Sequence, residues 1–193
     1  MADVRTFIAF DTPLYVAEVF VELQAKLRNA NADVRWEDKN KFHATMKFLG
    51  NVSETLLPSV IDSIRHIVEK HRAFEIVYRT VGGFPNMKRP RVLWVGCEEK
   101  SGTLLQAKTE IDDALLPLGF TIEDRAFHPH ITLGRVKSEK NIHDLLSIVE
   151  SLNFEPQKTV IREILVVRSI LHPHGSDYSI LKTISLHTEM NSN

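Results

Sequence analysis

Two short segments of the chain share an arrangement of residues that could carry acid–base chemistry. FHATMKFLG contains His43 and Thr45 separated by one residue, and FHPHITLGR contains His130 and Thr132 with the same spacing. Side chains two positions apart on a β-strand point to the same face of the strand. Each segment, folded as a strand, therefore presents an imidazole beside a hydroxyl, with mostly apolar residues on the opposite face.

These residue types suit the cleavage of a phosphodiester. One group must deprotonate the attacking oxygen while another protonates the leaving oxygen on the far side of phosphorus. Histidine can do either near neutral pH, because its ordinary pKa is about 6.5. A threonine hydroxyl can donate a hydrogen bond to a non-bridging phosphate oxygen. If the two strands face one cleft, the motifs predict a phosphodiester-cleaving site that needs no metal.

The repetition of the motif carries more weight than either copy alone. A single histidine in a strand is often a satisfied core residue. Here the two histidines lie 87 positions apart in a chain of 193 residues, and each motif continues into an apolar stretch closed by glycine. This spacing indicates a duplicated unit and favours a functional reading of both motifs.

The elements around the motifs also recur along the chain. Apolar periodicity predicts helices over residues 13–29 and 101–118, ahead of the two motif strands. Residues 82–91 are typical of a loop, and residues 160–168 are predicted to form one strand. Because no low-complexity linker separates the halves, we expect one domain over residues 1–193, with two pseudo-symmetric lobes in a mainly antiparallel α+β fold.

Composition narrows the class of protein. Hydrophobic residues make up 43% and charged residues 25%, and the formal net charge is -1, as in a globular protein without a strongly basic surface. Any contact with phosphates must then come from a local patch. The single cysteine, Cys97, excludes a disulfide framework and a thiolate zinc cluster. With neither a signal peptide nor a spanning apolar run, the sequence predicts a cytoplasmic protein that does not enter a membrane.

The sequence as a whole resembles the two-histidine (2H) phosphoesterases, in particular the bacterial and archaeal RNA 2′,3′-cyclic phosphodiesterases, long called 2′-5′ RNA ligases. The resemblance covers nearly the whole chain, from RTFIAFDTP through VRWEDKNKFHATMKFLGNV and FHPHITLGR to SILHPHGSDYSIL. The segment GGFPNMKRPRVLWVG makes the match specific. The closing segment departs from the family pattern at His172 and His174, where other residues are expected.

The resemblance implies a bilobal fold in which two mainly antiparallel sheets line a central cleft, with the helices outside. It implies cofactor-free hydrolysis of an RNA 2′,3′-cyclic phosphate end to a 2′-phosphate, and reversible joining through a 2′-5′ linkage. It also makes His43 the proton donor to the leaving 3′ oxygen and His130 the acceptor of a proton from water, while Thr45 and Thr132 hold the phosphate. The residues alone leave the donor and acceptor interchangeable, because the two motifs are pseudo-symmetric.

Further residues are candidates for contact with RNA: Lys47, Phe84, Arg89, Arg91, Arg135 and Tyr178. Strict alternation places Lys47 on the face of His43 and Phe48 on the core face. Arg135 would point away from His130 at the strand end, but its guanidinium suits a phosphate. The aromatic and basic residues in and beside the loop could stack a base and follow a backbone, or simply pack and be solvated.

The pattern His-Pro-His occurs twice and raises the question of a metal. His128 and His130 form the first pair, and His172 and His174 form the second. No nearby Asp or Glu completes a ligand set, and the intervening proline limits strand pairing. We therefore predict no metal site, and an exposed hairpin loop around the second pair.

Several functional alternatives remain open from the sequence. The substrate is predicted to be RNA with a cyclic phosphate end, such as a tRNA fragment, but the motifs equally suit a small cyclic nucleotide. A non-catalytic RNA-binding module of the same fold would have no need for two titrating groups. A metal-dependent hydrolase using the His-Pro-His pairs would lose its activity in EDTA. We expect the protein to act as a monomer.

Overall fold

The computed structural model describes residues 2–173 and 175–187. Within these ranges the chain forms nine strands and four α-helices. The strands are β1 (Asp3–Asp11), β2 (Val34–Trp36), β3 (His43–Ser53), β4 (Phe74–Phe84), β5 (Val92–Glu98), β6 (His130–Val136), β7 (Gln157–Ile161), β8 (Glu163–His172) and β9 (Gly175–Ser185). The helices are α1 (Leu14–Arg28), α2 (Leu57–Val68), α3 (Thr103–Leu115) and α4 (Ile142–Ser151).

All nine strands belong to one sheet, in the order β7-β4-β5-β6-β3-β1-β8-β9, with β2 added beside β6. The pairs of neighbouring strands are antiparallel, which confirms the predicted α+β class with mainly antiparallel strands. The two expected sheets are two halves of this single sheet. They meet where β3 and β6 pair, at Ala44 and Ile131. The motif strands are therefore direct neighbours.

The helices pack on the sheet in an order that exchanges the two halves of the sequence. From α1, Phe20 packs edge-on against Tyr78 of β4, with the ring centroids 5.4 Å apart, and α1 also contacts α4. From α3, Asp112 pairs with Lys47 of β3, and α3 packs on α2. Gln24 of α1 also donates to the carbonyl of Leu133 in β6. A helix from each half of the chain thus contacts the motif strand from the other half, so the lobes are not successive halves of the sequence.

Amphipathic patterning explains how α1 reaches its place. Val16, Phe20, Leu23 and Leu27 recur at helical spacing and are buried, as the periodicity predicts. Gln24 is buried among them and is only 4% exposed. A buried amide needs hydrogen-bond partners, and those of Gln24 lie in the candidate site described below.

Two predicted element boundaries are wrong for reasons of strand pairing. Residues 82–84 belong to β4 and pair with residues 92–94 of β5, so the predicted loop is shorter than its glycines suggested. The single strand predicted over residues 160–168 is two strands that part at Arg162, because β7 pairs with β4 and β8 pairs with β1. Among the described residues, no helix is long and apolar enough to cross a membrane.

Candidate active site

A cleft of about 490 Å³ lies over the junction of the two halves of the sheet. Its lining includes all four residues of the repeated motif: His43, Thr45, His130 and Thr132. The contact between β3 and β6 brings the two motifs side by side, as their duplication predicts. One concave surface thus offers two imidazoles and two hydroxyls to a single small group.

The ring of His43 lies between aromatic side chains. It stacks on Phe7 with the centroids 4.8 Å apart, and Tyr178 meets it edge-on at 5.0 Å. Burial lowers the pKa of His43 to about 4, which a hydrogen bond with the backbone of Lys41 opposes and the charge of His130 reinforces. In the free protein, His43 is therefore neutral at pH 7.

The ring of His130 is held by a backbone hydrogen bond. Its Nδ1 donates to the carbonyl of His128 at 2.7 Å, which leaves Nε2 as the nitrogen able to accept a proton. Phe84 meets the ring edge-on, with centroids 4.9 Å apart. Burial lowers the pKa of His130, the bond to His128 opposes that change, and the positive charge of Arg135 adds to it.

Both motif strands contain a β-bulge at the equivalent position. The pairing of β3 with β1 skips Met46, and the pairing of β6 with β5 skips Leu133. Each is the residue directly after the motif threonine. A bulge inserts one residue on one strand only, and so reverses the faces of the side chains that follow it, up to the next bulge. In β3 the next one skips Leu49, so the reversal covers Lys47 and Phe48. The sequence alternation used to assign faces therefore holds only as far as each threonine.

The bulge in β3 overturns the expected position of Lys47. This side chain turns away from the cleft and is 2% exposed. Its Nζ lies 2.7 Å from Oδ1 of Asp112 and donates to the carbonyl of Thr121 at 2.7 Å. Phe48, expected in the core, instead lines the cleft and is 61% exposed. The prediction that Lys47 adds a charge to the cleft is thus wrong, and Phe48 is a cleft residue that alternation missed.

The bulge in β6 brings Arg135 to the cleft. Alternation pointed it away from His130, but the structure places it among the lining residues, on the same side as His130. Its Nε pairs with Oε1 of Glu37 at 3.3 Å. Arg35 and Glu37 also line the cleft. The sequence reasoning missed both, because only the pairing of β2 with β6 brings them there.

The remaining candidates for contact with RNA divide into two groups. Phe84 and Tyr178 line the cleft, one beside each motif histidine. Arg89 and Arg91 are exposed on the turn between β4 and β5 and do not line the cleft. An RNA contact at these two arginines stays a prediction about a neighbouring surface.

The His-Pro-His pairs do not form a metal centre in the described part of the chain. Within residues 2–173 and 175–187, no group of three or more His, Cys, Asp or Glu is placed to hold a metal ion. His128 supplies its carbonyl to His130, and His172 pairs with Asp177 at 3.1 Å. His174 lies outside the described residues.

Comparisons with known proteins agree with this geometry. The sequence model of the LigT-like phosphoesterases matches residues 13–94 and again residues 95–178, so each match contains one motif. The chain is 32% identical over 184 residues to an RNA 2′,3′-cyclic phosphodiesterase of Methanothermobacter thermautotrophicus, covering 95% of this chain and 99% of the relative. It is 29% identical to a protein of the same name from Aquifex aeolicus, covering 96% and 99%.

Solved structures show the same fold. A Thermus thermophilus protein, TT0787, superposes with a TM-score of 0.79 at 27% identity, covering 96% of this chain and 99% of that one. Escherichia coli LigT complexed with 3′-AMP superposes with a TM-score of 0.76 at 24% identity, covering 95% and 98%. The fold is that of a phosphoesterase. The chain belongs to the LigT-like phosphoesterase family, whose members are hydrolases.

Proposed function

We propose that the protein hydrolyses the 2′,3′-cyclic phosphate at the end of an RNA to a 2′-phosphate, without a metal ion. The observation that carries this proposal is the pair of imidazoles on adjoining strands in one cleft, each two residues from a threonine. Relatives that match nearly the whole chain are named RNA 2′,3′-cyclic phosphodiesterases, which supports the same substrate.

In the proposed reaction, the phosphate lies between His43 and His130. Water attacks phosphorus, and its proton passes to Nε2 of His130, the nitrogen left free by the bond to His128. The bond from phosphorus to the 3′ oxygen breaks, and His43 gives that oxygen its proton. The product carries a 3′ hydroxyl and a 2′-phosphate. Thr45 and Thr132 donate hydrogen bonds to the non-bridging oxygens.

Because the pKa values of both histidines are lowered, the proton donor must gain its proton when the substrate binds. In the free protein, a pKa of about 4 leaves only about 10⁻³ of His43 protonated at pH 7. A bound phosphodiester brings a negative charge next to both rings and so favours their protonated forms. The donor is therefore charged mainly in the complex. The assignment of His43 as donor rests on the family resemblance, and its low pKa in the free protein would also suit a base.

The same cleft would support ligation, a parallel reaction in which an RNA hydroxyl takes the place of water. A 5′ hydroxyl that replaces water would attack the cyclic phosphate and break the bond to the 3′ oxygen, leaving a 2′-5′ linkage. His130 and His43 would keep the same roles, because an oxygen nucleophile again loses a proton and the 3′ oxygen again gains one. Ligation is part of the proposal and is tested by its product.

The proposal is tested by incubating the protein in EDTA with an oligoribonucleotide that ends in a 2′,3′-cyclic phosphate. We expect a 2′-phosphate, with its position read by phosphorus NMR. A cyclic mononucleotide serves as the parallel substrate, because a cleft of about 490 Å³ is of a size to hold one nucleotide. Turnover of the mononucleotide alone would assign a small cyclic nucleotide instead. Binding of both substrates without turnover would assign a non-catalytic module.

A further inference from the structure

Two buried polar contacts lie at the bulges that follow the motif threonines. The first involves Gln24 of α1, whose Nε2 donates to the carbonyl of Leu133 at 2.8 Å and to that of Glu37 at 2.9 Å. Leu133 is the extra residue of the β6 bulge. Its carbonyl also accepts from the backbone N–H of Glu37 at 2.9 Å. One side-chain amide thus fastens the bulge to the strand beside it.

The second contact lies at the equivalent place on β3. Lys47 directly follows Met46, the extra residue of that bulge. Its ammonium lies between the carboxylate of Asp112 on α3 and the carbonyl of Thr121. Asp112 also pairs with Lys108, and Lys47, Asp112 and Lys108 are 2%, 3% and 7% exposed. The three charged groups are therefore buried together and depend on one another.

The two contacts follow one plan. In each, a polar side chain from a helix in one half of the chain reaches the bulge in the motif strand from the other half. In each, the contact also ties in the segment that leads to the opposite histidine: Glu37 lies ahead of His43, and Thr121 lies ahead of His130. The bulge in one strand is thereby coupled to the approach of the other motif.

We propose that Gln24 and the Lys47–Asp112 pair are positioning residues that lock the two bulges and thereby aim the two motif histidines. Without the bulge, regular alternation would turn Lys47 toward the cleft and Phe48 away from it. The buried contacts of Lys47 oppose that change of register, because turning the lysine away would leave the Thr121 carbonyl without this donor and the buried Asp112 with one fewer cation beside it. In β6, the amide of Gln24 opposes the loss of the bulge by donating a hydrogen bond to the Leu133 carbonyl.

The test compares Gln24→Met and Lys47→Met, which keep side-chain length and remove the polar contact. The matched controls are Leu27→Ala on α1 and Ile111→Ala on α3, two buried residues whose loss weakens packing on the same helices. The readout is the titration of the imidazoles of His43 and His130, followed by NMR in protein labelled with ¹⁵N-histidine. The signals are assigned with His43→Gln and His130→Gln.

We expect a selective response in each variant. Gln24→Met loosens β6 and raises the pKa of His130 toward its ordinary value, with a smaller rise at His43, whose approach Gln24 also holds through Glu37. Lys47→Met raises the pKa of His43 toward its ordinary value, with a smaller rise at His130, whose approach Lys47 also holds through Thr121. A second expectation rests on the proposed function. Each variant should lower kcat for the cyclic phosphate by about 10- to 100-fold, while KM changes less than about threefold.

The proposal is overturned if both imidazoles titrate as in the unaltered protein, or if every variant, controls included, shifts both alike. If either methionine variant fails to fold, Gln24→Asn and Lys47→Arg retain a polar donor and should give the same selective shifts at smaller size. The titration needs no turnover. A protein that leaves cyclic phosphates uncut would therefore contradict the proposed function while the NMR result still decides the positioning role.

Discussion

The two motif strands share a backbone plan but differ in their surroundings. We call β3 with Phe7, Phe48 and Tyr178 the His43 arm, and β6 with Phe84 and Arg135 the His130 arm. Each arm presents a histidine, a threonine and a bulge in the same order. Three residues after the threonine, the His43 arm brings the exposed ring of Phe48 to the cleft, and the His130 arm brings the guanidinium of Arg135.

This difference indicates that the two arms have different roles, although their backbones are similar. Under the proposed function, the leaving 3′ oxygen belongs to the terminal nucleoside, which therefore lies by the proton donor. The aromatic His43 arm offers that nucleoside apolar surface, where a base can stack. The attacking water approaches from the opposite side, where the His130 arm carries Arg135 and its partner Glu37. The similar backbones supply two similar sites, and the side chains around each histidine determine its role.

The largest expected effect comes from removing either imidazole. His43→Ala and His130→Ala should each lower kcat by about 10²- to 10⁴-fold, because one of two proton transfers is lost. The double variant should lose much less than the product of the two factors, because the histidines act together. Steady-state kinetics measure these losses. His66→Ala, an exposed histidine on α2, is the control and should keep full activity. Equal activity of His43→Ala and the control would contradict the assignment of His43 as the proton donor.

Replacing the threonines tests whether both arms hold the phosphate. Thr45→Val and Thr132→Val keep the side-chain shape and remove one hydrogen bond to a charged oxygen, so kcat/KM should fall by about 10- to 100-fold in each. Thr109→Val on the exposed face of α3 is the matched control. A loss in only one arm would mean that the phosphate is bound asymmetrically.

A smaller effect is expected where the arms differ. Arg135→Gln should raise KM by about 3- to 10-fold and weaken its dependence on salt, since the guanidinium is partly exposed and screened. It should also raise the pKa of His130, because the charge of Arg135 lowers it. Phe48→Leu removes an aromatic surface but no charge, so its KM should keep the salt dependence of the unaltered protein. Identical salt dependence in all three proteins would argue against a phosphate contact by Arg135.

The last expected effect concerns the stability of the fold in acid, not the activity. Burial lowers the pKa of His43 to about 4, so between pH 6.5 and pH 4 the unfolded chain binds a proton that the folded protein does not. The free energy of unfolding therefore falls as the pH drops through this window, by up to about 3 kcal/mol from this group. In urea titrations, His43→Gln should lose less stability over this range than the unaltered protein does. His66→Gln should not differ from the unaltered protein, and an equal acid response in His43→Gln would contradict the burial argument.

The sequence predicts the repeated motif, the fold class and the joint location of the two histidines and threonines. These follow from a pattern of period two and from duplication. The sequence does not predict the orientation of the side chains that follow each motif threonine. A bulge leaves no signature in TMKF or TLGR, so strict alternation assigns Lys47, Phe48 and Arg135 to the wrong faces. Arg35 and Glu37 reach the cleft only through the pairing of β2 with β6, which is long-range and invisible in local periodicity.

The most direct test of the account is the pH dependence of kcat/KM for a 2′,3′-cyclic phosphate RNA end, measured in EDTA. One acid and one base predict a bell-shaped profile, and its limbs report the free protein. Since burial lowers the pKa of both histidines, the maximum should lie below pH 6.5. A rate independent of pH between 4 and 8, or activity that appears only when a divalent metal is restored, would contradict the two-histidine mechanism.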